Sequence, residues 1–311
     1  MTTGASGEAS LADLLAIFDV QAADAGSLQY VGTSESRGRN VVEGSQLLGQ
    51  AMVAAAKALP GRTVRSAHGL FAAAVNPADA IEFTVTPVRA GRSFASAVVA
   101  IGQGGRACAT ATILLDRPEA DVIRHDHPAS CGPSAGGPVG GHGSAGLAVG
   151  GPEAAFAAAI NPVPFRELRI SGVRDHNSPD EVGPPVLDAW LRYETVPDRD
   201  DLRRALLTHY TGDLSIATAM RAHAGIGAAQ AHQTVSTAVM TIGVTFHDPI
   251  DWDGWLRYHH ESTFAGAGMA YARGQVLTED GRIIASFTQD AMIRAFAPNS
   301  SSTAMSAESR L

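Results

Sequence analysis

Cysteine and charge are both scarce in this 311-residue sequence. Its only two cysteines, Cys108 and Cys131, lack the spacing of a metal or redox pair, so neither a disulfide scaffold nor a zinc motif is expected. Charged residues make up 17%, and the formal net charge of −8 carries no Lys/Arg block. This balance argues against a nucleic-acid partner or an anionic membrane surface, but allows a small anionic ligand.

Long apolar runs are missing as well. No stretch of 18 apolar residues occurs, so we expect no transmembrane helix and no membrane partner. The first twenty residues lack the basic and apolar regions of a signal peptide, which predicts a cytoplasmic protein. Hydrophobic residues nevertheless reach 45%, and the length suits two domains that each bury a core.

The order of patterns predicts an α+β fold. A helix is expected over residues 44–58, ended by Leu59-Pro60-Gly61, and a second over residues 201–224. Each is followed by four β-rich runs, at 68–75, 80–89, 93–102 and 107–116, and at 234–246, 255–262, 268–278 and 283–296. One helix followed by four strands indicates α+β rather than alternating β-α-β units.

A low-complexity segment separates these two halves. Residues 130–152 are dominated by Gly, Pro, Ser and Ala, which cannot bury enough surface to fold alone. We therefore predict an N-terminal domain at 10–116, a linker at 117–161, a C-terminal domain at 162–297 and a disordered tail at 298–311.

The two halves also align residue by residue. Residues 48–51 match 211–214, and residues 104–114 match 280–292. Two such copies could pair into one larger sheet and so cover an edge of each. The copies differ at two aligned positions that could carry catalytic groups. Gln50 of the first half aligns with Asp213 of the second, and Ile113 aligns with Gln289. The difference predicts one working site, in the second half, unless Gln289 lies on the solvent face.

Several motifs occur in the order seen in the type II acyl-CoA thioesterases, which the sequence resembles. The resemblance covers roughly residues 10–116 and 162–297. The matching residues and segments are Gly44, Gln46, Gly49, Gln50 and Ala51, then Arg89, Gly91, Ser93, Phe94 and Ser96, then 246–263 and 272–294. The resemblance implies a double hot-dog fold, with two antiparallel sheets that each wrap a long helix. It also implies hydrolysis of acyl-CoA to fatty acid and CoA in fatty acid metabolism, by a homo-oligomer without cofactor.

The resemblance also implies the catalytic groups. Asp213 and Gln289 match the family's Asp and Gln, which with a hydroxyl residue hold the attacking water. The hydroxyl position falls on Val239. Because residues two apart on a regular strand share a face, Thr241 is the expected replacement, and Thr237 is a weaker candidate. Such a site needs no covalent nucleophile, and no G-x-S-x-G motif of the α/β-hydrolases is present.

Substrate contacts are expected from Gln50, Gly49, Gly212 and Arg273. No metal site is expected, because His259, His260 and Glu261 are adjacent on a strand and point to alternating faces. Two alternatives stay open. The missing hydroxyl at Val239 would suit a non-catalytic acyl-CoA-binding protein. A hot-dog hydratase would need an Asp/His loop motif, which is not seen near Asp213.

Overall fold

The computed structural model describes residues 10–35, 40–129, 165–171, 178–212, 214–247 and 249–296. Asp213, Asp248, most of the predicted linker and the predicted tail at 298–311 lie outside these ranges. In the part of the chain described, no helix is both long and apolar enough to cross a membrane.

The described residues of the first half form two helices and six strands. They are α1 (Leu11–Phe18), β1 (Gln21–Ala22), β2 (Gln29–Gly32), α2 (Gly44–Ala58), β3 (Thr63–Phe71), β4 (Ile81–Ala90), β5 (Phe94–Gln103) and β6 (Arg106–Asp116). A reciprocal capping box between Ser10 and Asp13 starts α1. The central helix α2 is buried along most of its length.

The second half repeats this order. Its elements are β7 (Arg166–Ser171), β8 (Val186–Tyr193), α3 (Asp200–His209), α4 (Ser215–Met220), a 3-10 turn (Ala228–Gln230), β9 (Val235–Phe246), β10 (Leu256–Gly266), β11 (Met269–Thr278) and β12 (Ile283–Ala295). The eight strands expected from the β-rich runs are present with shifted ends. Strands β1, β2, β7 and β8 were not predicted.

All twelve strands form one antiparallel sheet, in the order β1-β2-β4-β5-β6-β3-β9-β12-β11-β10-β8-β7. The two sheets expected for the two copies are therefore joined into one larger sheet, as the repeat allowed, because β3 and β9 pair along the seam from Ser66↔Thr245 to Leu70↔Thr241. Arg65 reinforces this seam. Its Nε contacts Asp116 Oδ2 at 2.6 Å, and its Nη1 donates to the carbonyls of Phe246 and His247, each at 2.9 Å.

The long helix expected over residues 201–224 is also corrected. It is divided into α3 and α4 by a turn that includes Thr211 and Gly212. Thr211 hydrogen-bonds back to the Thr208 carbonyl through both its backbone N–H, at 3.0 Å, and its hydroxyl, at 2.7 Å. A hydroxyl that competes for helical carbonyls, followed by glycine, weakens a helix at this point. Among the described residues, only those of the first half therefore form one long central helix.

The register of the sheet makes the two halves equivalent position by position. In the first half Ile113 pairs with Ala67 of β3 and Ala97 of β5. In the second half Gln289 pairs in the same way with Ile242 of β9 and Ala272 of β11. Ile113 and Gln289 therefore occupy matching places in the two copies, as the sequence alignment predicted.

Candidate functional site

Gln289 is the most unusual polar side chain on the helix-covered face of the sheet, here called the inner face. On β12 this face carries Ala285, Phe287, Gln289 and Ala291, all buried. Gln289 is only 1% exposed, and neither its Oε1 nor its Nε2 has a hydrogen-bond partner among the described residues. The alternative that it faces solvent is wrong. An unpaired buried amide costs about 1–3 kcal/mol, so a partner from beyond the described residues is expected to complete it.

Gly212 brings the turn between α3 and α4 to the same place. A Cβ atom added to Gly212 would lie 3.3 Å from Cδ1 of Ile242, the strand neighbour of Gln289, and 3.5 Å from Cβ of Ser45. Gly212 is thus held between β9 and the first turn of α2. Asp213 follows it in the chain but lies outside the described residues.

The expectation that Thr241 shares a strand face with Val239 is wrong, because β9 is not a regular strand. Asp290 pairs with Thr241 and Ala291 with Val239, so Met240 forms a bulge between them. Because of this extra residue, Val239 packs against the core, whereas Thr241 lies on the other, outer face. The Thr241 hydroxyl donates to Asp290 Oδ2 at 2.6 Å. The Thr241 hydroxyl therefore lies on the opposite face of the sheet from Gln289.

Thr237, the weaker candidate, does lie on the inner face and is buried. Its register partner is Ile293, four residues beyond Gln289 on β12, or about 13 Å along the strand. Its hydroxyl is 3.1 Å from His232 Nε2. Thr237 therefore lies far from Gln289 along the inner face. Val239 lies between the two positions, and its side chain has no hydroxyl.

Two of the residues expected to bind substrate, Gln50 and Gly49, make contacts within the protein that account for the residue type at each position. The Gln50 amide donates to the carbonyls of Ile17, at 2.9 Å, and Thr33, at 2.8 Å, and so ties α2 to the end of α1 and to the segment after β2. A Cβ added to Gly49 would lie 2.8 Å from Cε1 of Phe18 and 3.4 Å from Cβ of Ala205. The absent side chain therefore allows α1 and α3 to approach α2.

Arg273 stands on the outer face of β11, where its side chain is well exposed. Its register neighbour on β12 is Thr288 rather than Gln289, and its Nε donates to Glu261 Oε2 at 3.0 Å. The structure thus brings together Gly212 and Gln289 but not Arg273. A contact of Arg273 with CoA outside the core stays a prediction.

His260 lies on the inner face, and its sequence pattern raised only the question of a metal ligand. Its side chain is completely buried, and its ring meets the Phe287 ring edge-on at 5.0 Å between centroids. Its Nδ1 lies 3.2 Å from the Tyr258 carbonyl, whereas Nε2 has no partner in the described ranges. Burial lowers the pKa of His260 to about 4. Comparison of β10 with β4 could have found it, since His260 matches Val85.

The neighbouring His259 points to the outer face and joins a different cluster. Asp188 accepts hydrogen bonds from His259 Nδ1 and Arg257 Nε, each at 2.9 Å. Burial favours a raised pKa for Asp188, but these two partners outweigh it and hold the pKa below its usual value. Arg257 and Gln275 also bond the backbone of Ala129. This cluster fastens the chain after β6 onto the second half.

The outer face also has an open depression with a volume of about 480 Å³. The side chains of Ser66, His68, Thr112 and Thr288 help to line it, across the seam between β3 and β9. Gln289 does not line it. The depression is thus separated from the inner-face groups by the sheet itself.

Comparison with known proteins finds consistent relatives for both halves. Family models described as the acyl-CoA thioesterase N-terminal and C-terminal domains match residues 33–115 and 145–293. Acyl-CoA thioesterase 2 of Haemophilus influenzae is 26% identical over 285 residues, covering 86% of this chain and 92% of that protein.

Two solved structures share the fold. The tesB protein of Mycobacterium avium subspecies paratuberculosis has a TM-score of 0.71 at 20% identity, covering 91% of this chain and 99% of that one. A hot-dog-fold protein of unknown function from Alicyclobacillus acidocaldarius has a TM-score of 0.63 at 18% identity, covering 91% and 98%. The large antiparallel sheet described above is therefore a hot-dog architecture.

Proposed function

We propose, from the premise that this chain belongs to the type II acyl-CoA thioesterase family and is a thioester hydrolase, that Gln289 holds the water that attacks the acyl-CoA carbonyl. One observation supports this assignment above the others. The Gln289 amide is buried on the inner face, and its two polar atoms have no partner within the described chain. A water or a thioester oxygen would satisfy it.

The reaction that this site would perform is addition of water to the thioester carbonyl carbon. The carbon–sulfur bond then breaks, and the products are the free fatty acid and the CoA thiol. The Gln289 carbonyl can accept a hydrogen bond from the water, while its N–H can donate to the developing oxyanion. In the proposal Asp213, the residue after Gly212, accepts the proton of the water.

Ser45 is our candidate for the hydroxyl that Val239 lacks. It is buried in the first turn of α2, and its Oγ lies 3.6 Å from the position of a Cβ on Gly212. Backbone N–H groups in the first turn of a helix have no acceptor within the helix, so this end of α2 also favours an oxyanion. The first half would thus complete the site of the second.

The proposal is tested by following CoA release from acyl-CoAs of increasing chain length with a thiol reagent. Gln289→Ala and Asp213→Asn should each lower kcat at least about 100-fold, as expected for loss of an oxyanion or water contact. Gln289→Ala should keep or raise the melting temperature, because it removes an unpaired amide.

Gln103→Ala is the matched control. Gln103 is also buried, but its amide is fully used in the first half, accepting from Asn76 N at 2.8 Å and donating to the Asn76 carbonyl at 2.9 Å. This variant should lose stability and keep kcat. Turnover by Gln289→Ala at the wild-type rate would refute the proposal. Tight acyl-CoA binding without release by the wild type would favour the non-catalytic binding protein instead.

A further inference from the structure

The side chain of His260 has a lone pair, on Nε2, that accepts no hydrogen bond from the described residues. Because a backbone carbonyl can only accept, the contact between His260 Nδ1 and the Tyr258 carbonyl requires the proton on Nδ1. In the neutral ring Nε2 is then an acceptor, and burial favours the neutral ring. Nε2 is buried and has no donor among the described residues. The group that completes it must bring an O–H or N–H.

The fold itself does not require a histidine at this position. His260 pairs with Gly274, which pairs with Phe287. In the first half the same places hold Val85, Val99 and Ala111. An aliphatic side chain therefore fills this position in the first copy. In the second copy the polar ring of His260 fills it, and this ring lowers the stability of the protein while it is unpaired. Ligand recognition offers a reason for that cost.

The location of His260 relative to Gln289 indicates which part of a ligand it meets. The two residues share the inner face but stand two strands and two register positions apart, which places their Cα atoms about 12 Å from each other. A thioester carbonyl at Gln289 would therefore lie several carbon atoms from His260. The pantetheine arm must run towards solvent, whereas His260 is fully enclosed.

We infer that His260 is a specificity-determining residue whose Nε2 accepts a hydrogen bond from a hydroxyl group on the acyl chain, several carbons beyond the thioester. The inference rests on the proposed acyl-CoA site and names its substrate class, hydroxylated acyl thioesters. A site built around a buried hydrogen-bonding group discriminates strongly against a ligand that lacks the matching group, because the protein group is left unpaired.

The test measures binding, so that it does not depend on turnover. Thioether analogues of decanoyl-CoA, unsubstituted or hydroxylated at successive carbons, are titrated by calorimetry into the full-length protein. The wild type should bind one hydroxylated analogue about tenfold more tightly than the unsubstituted one. His260→Val should abolish this ratio, and His260→Gln, which keeps an acceptor oxygen, should restore part of it.

His259→Gln is the matched control, since His259 is adjacent in sequence but points to the outer face; it should keep the wild-type ratio. The inference is overturned if no hydroxyl position is preferred, or if His260→Val keeps the preference. Equal weakening of every analogue by His260→Val would also overturn it, and would indicate a pantetheine contact. A hydroxyl preference in a protein that releases no CoA would refute the proposed hydrolysis alone.

Discussion

The two halves of this chain differ most at matching positions on the inner face of the sheet. The first half places Phe83, Val85, Pro87 and Ile113 where the second places Tyr258, His260, Ser262 and Gln289. Two of the four second-half groups, His260 and Gln289, have buried polar atoms without partners within the described ranges. The first copy thus has apolar residues at these positions, whereas the second carries buried polar groups, and the proposed function would explain their cost in stability.

The largest expected effect comes from exchanging the residues at one such pair. Gln289→Ile copies Ile113 and should lower kcat for acyl-CoA hydrolysis at least about 100-fold. It should also raise the free energy of unfolding by about 1 kcal/mol, since an unpaired amide is replaced by an aliphatic group. Ile113→Gln should do the opposite, destabilising the protein without adding activity. Steady-state kinetics and urea unfolding check both, and an active Gln289→Ile variant would remove the functional contrast between the halves.

A second exchange concerns Gly274 and Val99. A Cβ on Gly274 would clash with Cζ of Phe287 and with the His259 carbonyl oxygen. Gly274→Ala should therefore cost about 3 kcal/mol of stability, near the upper end for overpacking. Adding Phe287→Ala, which copies Ala111, should recover only part of this loss because the carbonyl contact remains. Full recovery in the melting temperature of the double variant would contradict this packing.

The third difference between the halves concerns how stability depends on pH, because His260 is ionisable whereas Val85, its match in the first half, is not. His260 has a folded pKa of about 4, below its ordinary 6.5. The unfolded chain therefore binds a proton as pH falls below 6.5, while the folded chain does not until about pH 4. Stability should decrease across this window by roughly 3 kcal/mol and then level off for this group. His260→Val should unfold in urea with a flatter pH profile, whereas an unchanged profile would disprove the buried neutral ring.

The smallest effects distinguish the two sides of the bulge in β9. Thr241→Val should leave kcat within about twofold, because Thr241 is on the outer face, and should cost about 1 kcal/mol for its lost bond to Asp290. Val239→Thr places a hydroxyl on the inner face and should raise kcat several-fold. Kinetics and thermal unfolding of both variants check this assignment. A large loss of activity in Thr241→Val would contradict this assignment and would support the regular strand that the sequence suggested, with Thr241 on the inner face.

Much of the fold could be predicted because its strands alternate. The run that became β5 has buried residues at every second position, as a sheet covered on one face requires. Strand β8 was missed because it is buried on both faces from Leu187 to Leu191 and so shows no alternation. The division of the second-half helix depends on Thr211 bonding to Thr208, a local competition that helical periodicity does not express.

The site was predictable only in part, for a related reason. The position of Gln289 in the sheet was predictable because the repeat aligned it with Ile113, and the register preserves that alignment. Thr241 was misplaced because a bulge adds one residue without any sequence mark at Met240, and counting by twos across it gives the wrong face. His260 was visible in the sequence, but its significance depends on an unpaired nitrogen that only packing shows.

The seam between β3 and β9 has a consequence for how the chain is made. The two strands that pair at this seam are far apart in the sequence; Ala67, for example, pairs with Val244. During synthesis the first half emerges with the β3 edge open, and that edge has no partner until β9 has been translated. Such an open edge can pair with any neighbouring strand, including the same strand of another nascent chain. Synthesis of the first half alone should therefore give an aggregation-prone product, and in the intact chain the β3 edge is covered once the second half supplies β9.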